Sequence, residues 1–399
     1  MARKRTPRLL KGYTHHNKVR LVHGGKDYFD TIIRLIDEAR TIIHLQTYIY
    51  DGDETGRMVS DALLRAAGRM VEVYILLDGY ASQHLDKHMI AEWKSAGIHF
   101  RWFWPLFKSR KFYLGRRMHH KVIVVDAARG MAGGVNISDR YNDIGEQKAW
   151  LDRALLVEGQ AALKLHIICR DMWTKAYWKT THPQTDEFKW VPAFVPEEEC
   201  LVRVRRNDWV QGKNEISRSY VEMFRLAQTR ITVLSAYFLP GPILRKYMIQ
   251  AARRGVVIRI IVGGVSDVPI SRLAEQYMYR WLFRNKIKVY EYQDTILHGK
   301  MAVYDGEWMT DGSYNVNQIS AYASVELNMD VRNAAFAVGV EQELDVLVRD
   351  HCVEIDPEEY FHHHGPFRRL WQWVAYETVR LLFFIFTFYF RQEKESPRR

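Results

Sequence analysis

An α/β protein made of two duplicated halves, its sheets largely parallel and covered on both faces, is what this 399-residue sequence predicts. Three features support that fold class. Apolar runs of strand length alternate with segments of helical period. The order of these segments occurs twice, at an offset that drifts from 188 (Ile43 to Ile231) through 185 (Ala66 to Ala251) to 179 (His119 to His298), as an internal duplication with small loop changes would give. Each copy also carries a His, a Lys, an Asp and an Asn at one shared spacing.

The elements follow in chain order. Residues 1–11 form a basic arm, and Met1 to Arg20 contains no apolar run that reads as a secretory signal. From Lys26 a helical face is formed by Phe29, Ile32, Ile33, Ile36 and Ala39. Thr41 to Tyr50 reads as a strand, Asp61 to Gly68 as a helix end, and Val71 to Leu77 as an apolar strand leading to Asp78-Gly79. Lys87 to Ala96 is a helix closed by Gly97, the residue type favoured just past a helix C-terminus. Ile98 to Trp104 is a strand stopped at Pro105. In the second half Ile231 to Phe238 matches Ile43 to Tyr50, and Ala251 to Gly264 matches Ala66 to Gly79. Pro183, Pro192 and Pro196, in a stretch without periodicity, place a linker between the halves. The expected division is a first half at 1–182, a linker at 183–199, a second half at 200–355 and a C-terminal apolar segment at 356–399.

Composition narrows the class. With 47% hydrophobic and 26% charged residues the chain has material for a core, and a formal net charge of +11 favours polyanionic partners, either nucleic acid or an anionic membrane surface. Cys169, Cys200 and Cys352 are far apart and have no metal-ligand spacing, so they read as thiols in a reducing compartment.

The chemistry is carried by the repeated spacing. His119 and Lys121 stand two apart, Asp126 lies five beyond Lys121, and Asn136 lies seventeen beyond His119; His298, Lys300, Asp305 and Asn315 repeat the pattern. Alternate residues of a strand share a face, so each imidazole stands beside its ammonium. Supplied twice, that pair suits a phosphodiester that must be held and attacked. One neutral imidazole can attack phosphorus to form a phosphoramidate, which splits one difficult displacement into two. The other, protonated, can donate to the leaving oxygen and then serve as base for the incoming hydroxyl. Lys121, Lys300, Asn136 and Asn315 would donate to the non-bridging oxygens, where charge accumulates. No metal or other cofactor is required, and no carboxylate cluster stands out to bind one.

The two sets resemble the signature of the phospholipase D superfamily, His-x-Lys-x4-Asp with a downstream Gly-Ser-x-Asn. From about Gly12 to about Asp350 the chain is similar to the bacterial cardiolipin synthases of that superfamily. The resemblance implies two αβα-sandwich halves related by a pseudo-twofold axis, with both His–Lys pairs at one cleft. It implies an acid downstream of each motif as orienting partner for an imidazole, carried to Glu326 in the second half and to Asp152 in the first. It counts Asp126 and Asp305 in the catalytic signature, in a more structural than reactive part. It favours His119 as nucleophile and His298 as acid–base. Gly134 stands where the second copy has Ser313, so the substrate-side contacts expected of these two positions are not symmetrical.

The resemblance further implies phosphatidyl transfer from one phosphatidylglycerol to another with release of glycerol. The enzyme would work at the cytosolic face of a bacterial cell membrane as a monotopic or peripheral protein, with no nucleic acid as partner and an oligomer left open. Two rival readings are a phosphodiesterase acting with water on phospholipid or nucleic acid, and a catalytically dead membrane-binding scaffold. Two stretches favour lipid. Trp102 to Phe107 leads into the cationic run Lys108 to Arg117, a pairing suited to anionic headgroups. Leu381 to Phe390 has no charge, yet as a helix it spans about 15 Å, half of a hydrocarbon core of about 30 Å. It therefore reads as a helix lying in the interface or dipping partly into one leaflet, with a helix packed on the core or on a dimer partner as its rival.

Overall fold

The computed structural model describes residues 10–105, 116–175, 196–322, 324–363 and 365–395. Most of the basic arm, most of the cationic run after Phe107 and most of the expected linker at 183–199 lie outside these residues, as do the side chains from 384 onward.

The first half runs β1 (Thr14–His23), α1 (Lys26–Asp37), β2 (Ile42–Thr47), α2 (Glu54–Gly68), β3 (Glu72–Asp78), α3 (Lys87–Ser95), β4 (His99–Phe103), β5 (Lys121–Val125), β6 (Arg129–Gly133), β7 (Arg153–Gly159) and α4 (Gln160–Lys175). The second runs β8 (Cys200–Asp208), β9 (Lys213–Asn214), α5 (Glu215–Leu226), β10 (Arg230–Ser235), α6 (Pro242–Arg253), β11 (Val257–Gly263), α7 (Pro269–Arg284), β12 (Lys288–Tyr292), β13 (Lys300–Tyr304), β14 (Trp308–Gly312), α8 (Gln318–Tyr322), β15 (Glu326–Arg332), α9 (Ala334–His351) and β16 (Cys352–Glu354). Two helices follow, α10 (Pro357–His363) and α11 (Pro366–Glu395).

Local chemistry accounts for these elements. Phe29, Ile32, Leu35 and Ile36 bury one face of α1. Asp53 caps α2 by accepting the Gly56 N–H, and the chain leaves α3 through Gly97 at φ +83°. The motif strands KVIVV and KMAVY are buried on both faces, as central strands require.

The strands form one mixed sheet in the order β16-β12-β11-β10-β13-β14-β15-β8-β1-β7-β6-β5-β2-β3-β4, with β9 paired to β8. Read outward from the β1–β8 seam, the two arms repeat one another: β7-β6-β5-β2-β3-β4 on one side and β15-β14-β13-β10-β11-β12 on the other. The parallel character expected from strand–helix alternation belongs to β2-β3-β4 and β10-β11-β12, each joined by helical crossovers. The motif strands pair antiparallel, because tight turns after β5 and β13 fold each back as a hairpin.

Helices cover both faces. One apolar cluster lies under α1, α2 and α3, and its counterpart under α5, α6 and α7. A third is common to both halves, joining Val122, Leu155 and Val157 to Val303, Leu327 and Met329 along with residues of α4 and α9. Buried polar contacts cross the same region. Arg116 pairs with Asp208 at 2.8 Å, and Asn17 donates to the Cys200 carbonyl at 3.1 Å. The buried Asp330 takes Arg203 at 2.9 Å and the Ser219 hydroxyl at 2.6 Å.

The C-terminal helix α11 packs along α7, with Gln372, Ala375, Val379 and Phe383 buried and Leu239, Ala274 and Met278 beneath them. One face of the helix is packed on the core, as one of the two expectations had it, and its outer face is apolar and exposed as far as Leu382. Among the described residues no helix is long and apolar enough to cross a membrane.

Candidate active site

Each motif histidine is held by the opposite half. The N–H groups of His119 and His120 donate to the Val325 carbonyl at 2.9 and 3.1 Å, and those of His298 and Gly299 donate to the Leu151 carbonyl at 2.8 and 2.9 Å. Short bridges, Met118 to Val325 and Leu151 to Leu297, fix the register. The residue after Leu151 is Asp152, and the residue after Val325 is Glu326. Each carboxylate is therefore delivered to the other half's ring. His119 Nδ1 donates to Glu326 Oε2 at 2.9 Å, and His298 Nδ1 donates to Asp152 Oδ2 at 2.6 Å. The sequence offers the two acids as orienting partners; the structure adds that they are exchanged between the halves.

The strand alternation holds around the first motif. Lys121 sits on the His119 side, with its ammonium donating to the His119 carbonyl at 2.6 Å, while His120 turns away to meet Gln46 Oε1 at 2.9 Å. Lys300 likewise donates to the His298 carbonyl. Both ammoniums are buried. Burial and the neighbouring Lys300 push Lys121 down to about 7, and burial lowers Lys300 as well. Burial also lowers both imidazoles: His298, beside Lys300, is pushed to about 4, and His119 falls against the opposing pull of Glu326. Burial would raise Asp152, but Lys300 and His298 outweigh it and hold its carboxyl below the usual range. Lys300 acts electrostatically on His119, and Lys121 on His298, so the two motifs share one electrostatic environment.

The Gly134–Ser313 difference has a steric cause. A Cβ on Gly134 would lie 2.3 Å from Asp152 Oδ1. The shorter aspartate brings its carboxylate against the backbone where the second half has a serine. There the longer glutamate leaves room, and the Ser313 hydroxyl donates to Glu326 Oε2 at 2.5 Å. Both positions thus face the carboxylates. Gly134 and Ser313, expected as substrate contacts, stand here as neighbours of Asp152 and Glu326.

The two asparagines differ. Asn136 accepts the Ile49 N–H at 3.1 Å and donates to the Tyr141 hydroxyl at 2.9 Å, so its amide braces a loop and a tyrosine. Asn315 is buried, and its Oδ1 has no partner among the described residues.

Asp126 and Asp305 are not part of the cleft, which corrects their inclusion as catalytic residues. Each follows the far end of its motif strand at positive φ (54° and 52°). Asp126 accepts N–H groups of Arg40, Thr41 and Ile42, and Asp305 those of Gln228, Thr229 and Arg230. They tie the turn after the motif strand to the start of the neighbouring strand, which is a structural task.

Several neighbours were not singled out from sequence. The Tyr141 hydroxyl lies 3.5 Å from His298 Nε2, and Trp150 packs on the same ring. Tyr48 stands edge-on to His119 with centroids 5.0 Å apart. Buried Asp78 accepts the Met118 N–H at 2.9 Å and so anchors the residue before His119. Asp78 had a signal, since it ends a strand beside a glycine. The aromatic residues had none, because Tyr141 and Trp150 reach the cleft only through the loop between β6 and β7.

Comparison with known proteins gives the family. A family model described as "Cardiolipin synthase, PLD-like domain" matches residues 32–152 and 220–348. The chain is 31% identical over 353 residues to cardiolipin synthase B of Salmonella typhimurium, covering 86% of this chain and 84% of that protein. It is 30% identical over 320 residues to cardiolipin synthase 1 of Bacillus cereus, covering 78% and 62%. Among solved structures, phosphatidylserine synthase of Haemophilus influenzae superposes with a TM-score of 0.71 at 15% identity, over 91% of this chain and 93% of that one, which establishes the shared fold. The chain belongs to the phospholipase D-like cardiolipin synthase family and is a phosphatidyltransferase.

Proposed function

We propose that this phosphatidyltransferase makes cardiolipin from two phosphatidylglycerols through a phosphohistidine. His119 Nε2 attacks the phosphorus of the first lipid, an N–P bond forms, and the P–O bond to the terminal glycerol breaks. His298 gives its proton to the departing oxygen. The same imidazole then takes the proton from a headgroup hydroxyl of the second lipid, whose oxygen displaces the histidine from phosphorus. Two phosphatidylglycerols give one cardiolipin and one glycerol, and both imidazoles return to their starting states. Lys121, Lys300 and Asn315 donate to the non-bridging oxygens as charge builds there. Asp152 and Glu326 act as positioning residues that keep each Nδ1 protonated and each Nε2 directed at phosphorus. The two halves at 1–182 and 200–355, joined through 183–199, supply one motif each, and the segment 356–399 holds the enzyme on the cytosolic face of the membrane.

The crossed carboxylate pairing carries this reading. It supports one cleft with two imidazoles in matched tautomers, an arrangement suited to attack on one side of phosphorus and proton donation on the other. The same chemistry with the roles exchanged is favoured by one observation: burial and Lys300 hold His298 at about 4, so that it is neutral and ready to attack. The experiment is turnover of phosphatidylglycerol labelled in its phosphate, followed by alkaline quench and peptide mapping. Label on His119 supports the first assignment and label on His298 the second. Phosphatidic acid as the sole product would replace transferase with hydrolase. Full activity in the double variant His119→Ala, His298→Ala would refute the mechanism.

A further inference from the structure

Beyond the cleft, the groove between α7 and α11 holds a cavity of about 610 Å³ with an unusual charge. Five arginines line it: Arg245 from α6, Arg280 and Arg284 one turn apart on α7, and Arg369 and Arg380 three turns apart on α11. One carboxylate, Glu377, lines it with them and pairs with Arg380 at 3.0 Å. Among the described residues no carboxylate lies within ion-pair distance of the other four guanidiniums. Two of these are already set against aromatic faces, Arg245 over Trp281 and Arg280 over Phe361, each 5.9 Å from the ring centroid. Stacking of this kind limits the side-chain freedom that an anion would otherwise have to remove. Like charges gathered in one concavity repel, and the arrangement is satisfied by an anion with several acceptor oxygens.

The neighbouring surface indicates which anion. Phe367, Leu370, Trp371, Val374, Leu381 and Leu382 form a single stripe along α11, all exposed, with Phe367 at 79% and Trp371 at 63%. Arg369 and Arg380 lie on the polar flank of the helix beyond the buried face, across from this stripe. A helix seated with such a stripe in the membrane interface holds that arginine row at headgroup depth. The buried face of α11 leads back toward the cleft, since Phe383 packs with Leu239, which follows β10, and with Ile319 of α8.

We propose that this groove is a second, non-catalytic lipid site: it binds the phosphodiester of an anionic phospholipid in the bilayer and seats the cleft on the membrane. The site does not depend on the transferase reading, because its occupancy is measured without turnover.

The test is sedimentation of the full chain with vesicles of phosphatidylcholine alone or with phosphatidylglycerol added, comparing wild type with the pair Arg284→Gln, Arg369→Gln. Each arginine at an anionic surface contributes roughly fivefold to partitioning, so this pair is expected to lose roughly twentyfold on anionic vesicles and little on neutral ones. A control pair of equal charge change, Arg34→Gln with Lys87→Gln, is expected to stay within about threefold of wild type. Leu370→Ser with Trp371→Ser is expected to weaken binding to both vesicle types and leave their ratio unchanged. Circular dichroism melts confirm that each variant is folded, and these variants retain turnover of a short-chain soluble substrate. Equal losses in the pocket and control pairs, or an unaltered anionic preference in the pocket pair, overturn the proposal. Displacement from vesicles by millimolar inorganic phosphate overturns the lipid assignment in favour of a free-phosphate site, and displacement by single-stranded RNA overturns it in favour of a polyanion surface.

Discussion

Replacing Asp152 and Glu326 by their amides should have unequal effects, and the reason lies in which oxygen each uses. Asp152 Oδ1 accepts the Arg153 N–H at 2.8 Å while Oδ2 accepts from His298. In Asp152→Asn the amide oxygen stays with Arg153, so the NH2 faces His298 Nδ1 and the ring proton moves to Nε2, the atom that must exchange with substrate. Reversing the amide would set NH2 against the Arg153 N–H and leave two polar groups unmatched, at about 2 kcal/mol each. The resulting cost of about 4 kcal/mol corresponds to a rate loss of about a thousandfold. Glu326 differs: Oε2 takes both His119 and Ser313, and Oε1 has no partner among the described residues. In Glu326→Gln the amide oxygen can keep both contacts and the His119 tautomer, leaving only the loss of charge. A charged hydrogen bond exceeds a neutral one by about 1.5 kcal/mol, so the expected loss is about tenfold. The assay is turnover of labelled phosphatidylglycerol with 15N spectra of the histidine rings. Asp152→Asn should alter the tautomer of His298 and leave His119 unchanged. If Glu326→Gln is the more damaging variant, or if Asp152→Asn perturbs His119, the crossed pairing is wrong.

Three further outcomes follow from the same contacts. Gly134→Ser drives a Cβ to 2.3 Å from Asp152 Oδ1 and should reduce turnover about a hundredfold, a loss of roughly 3 kcal/mol in the transition state; Ser313→Gly, which removes one hydroxyl donor to Glu326, should cost about tenfold. Asp126→Asn should leave the rate constant nearly unchanged and lower stability in urea by roughly 1–3 kcal/mol, since the residue ties a turn by backbone N–H groups away from the cleft. Acid should destabilise the fold between pH 6.5 and 4: burial holds His44 and His120 at about 3 and His298 at about 4, against 6.5 unperturbed. The unfolded chain binds protons that these rings refuse, so their contribution is fully present above pH 6.5 and declines as pH falls, at about 1.4 kcal/mol per pH unit for each ring. Thermal melts across this range check it, and His44→Leu should flatten the slope by one ring.

The parts that sequence revealed and the parts it concealed differ in physical kind. His119 and Lys121 were legible as a pair because strand alternation is local, and their pairing with His298 and Lys300 because a duplication preserves spacing. The β1 and β8 strands at the seam escaped notice because THHNKVRLVH and CLVRVRRND mix charge into their apolar positions. Their arginines and histidines meet partners from distant segments, such as Arg203 with Asp330, so no local pattern marks them as internal. The exchange of carboxylates was hidden for a related reason. Asp152 and Glu326 stand at equivalent places in their own halves, and spacing alone pairs each with its own histidine. The backbone decides otherwise: Leu151 and Val325 each form a bridge to the opposite half, one residue before the acid. A duplicated half on its own would therefore present an imidazole without its carboxylate. On the mechanism proposed above, the tautomer that reacts requires both copies docked, which ties that chemistry to the shared core between the halves and not to either motif alone.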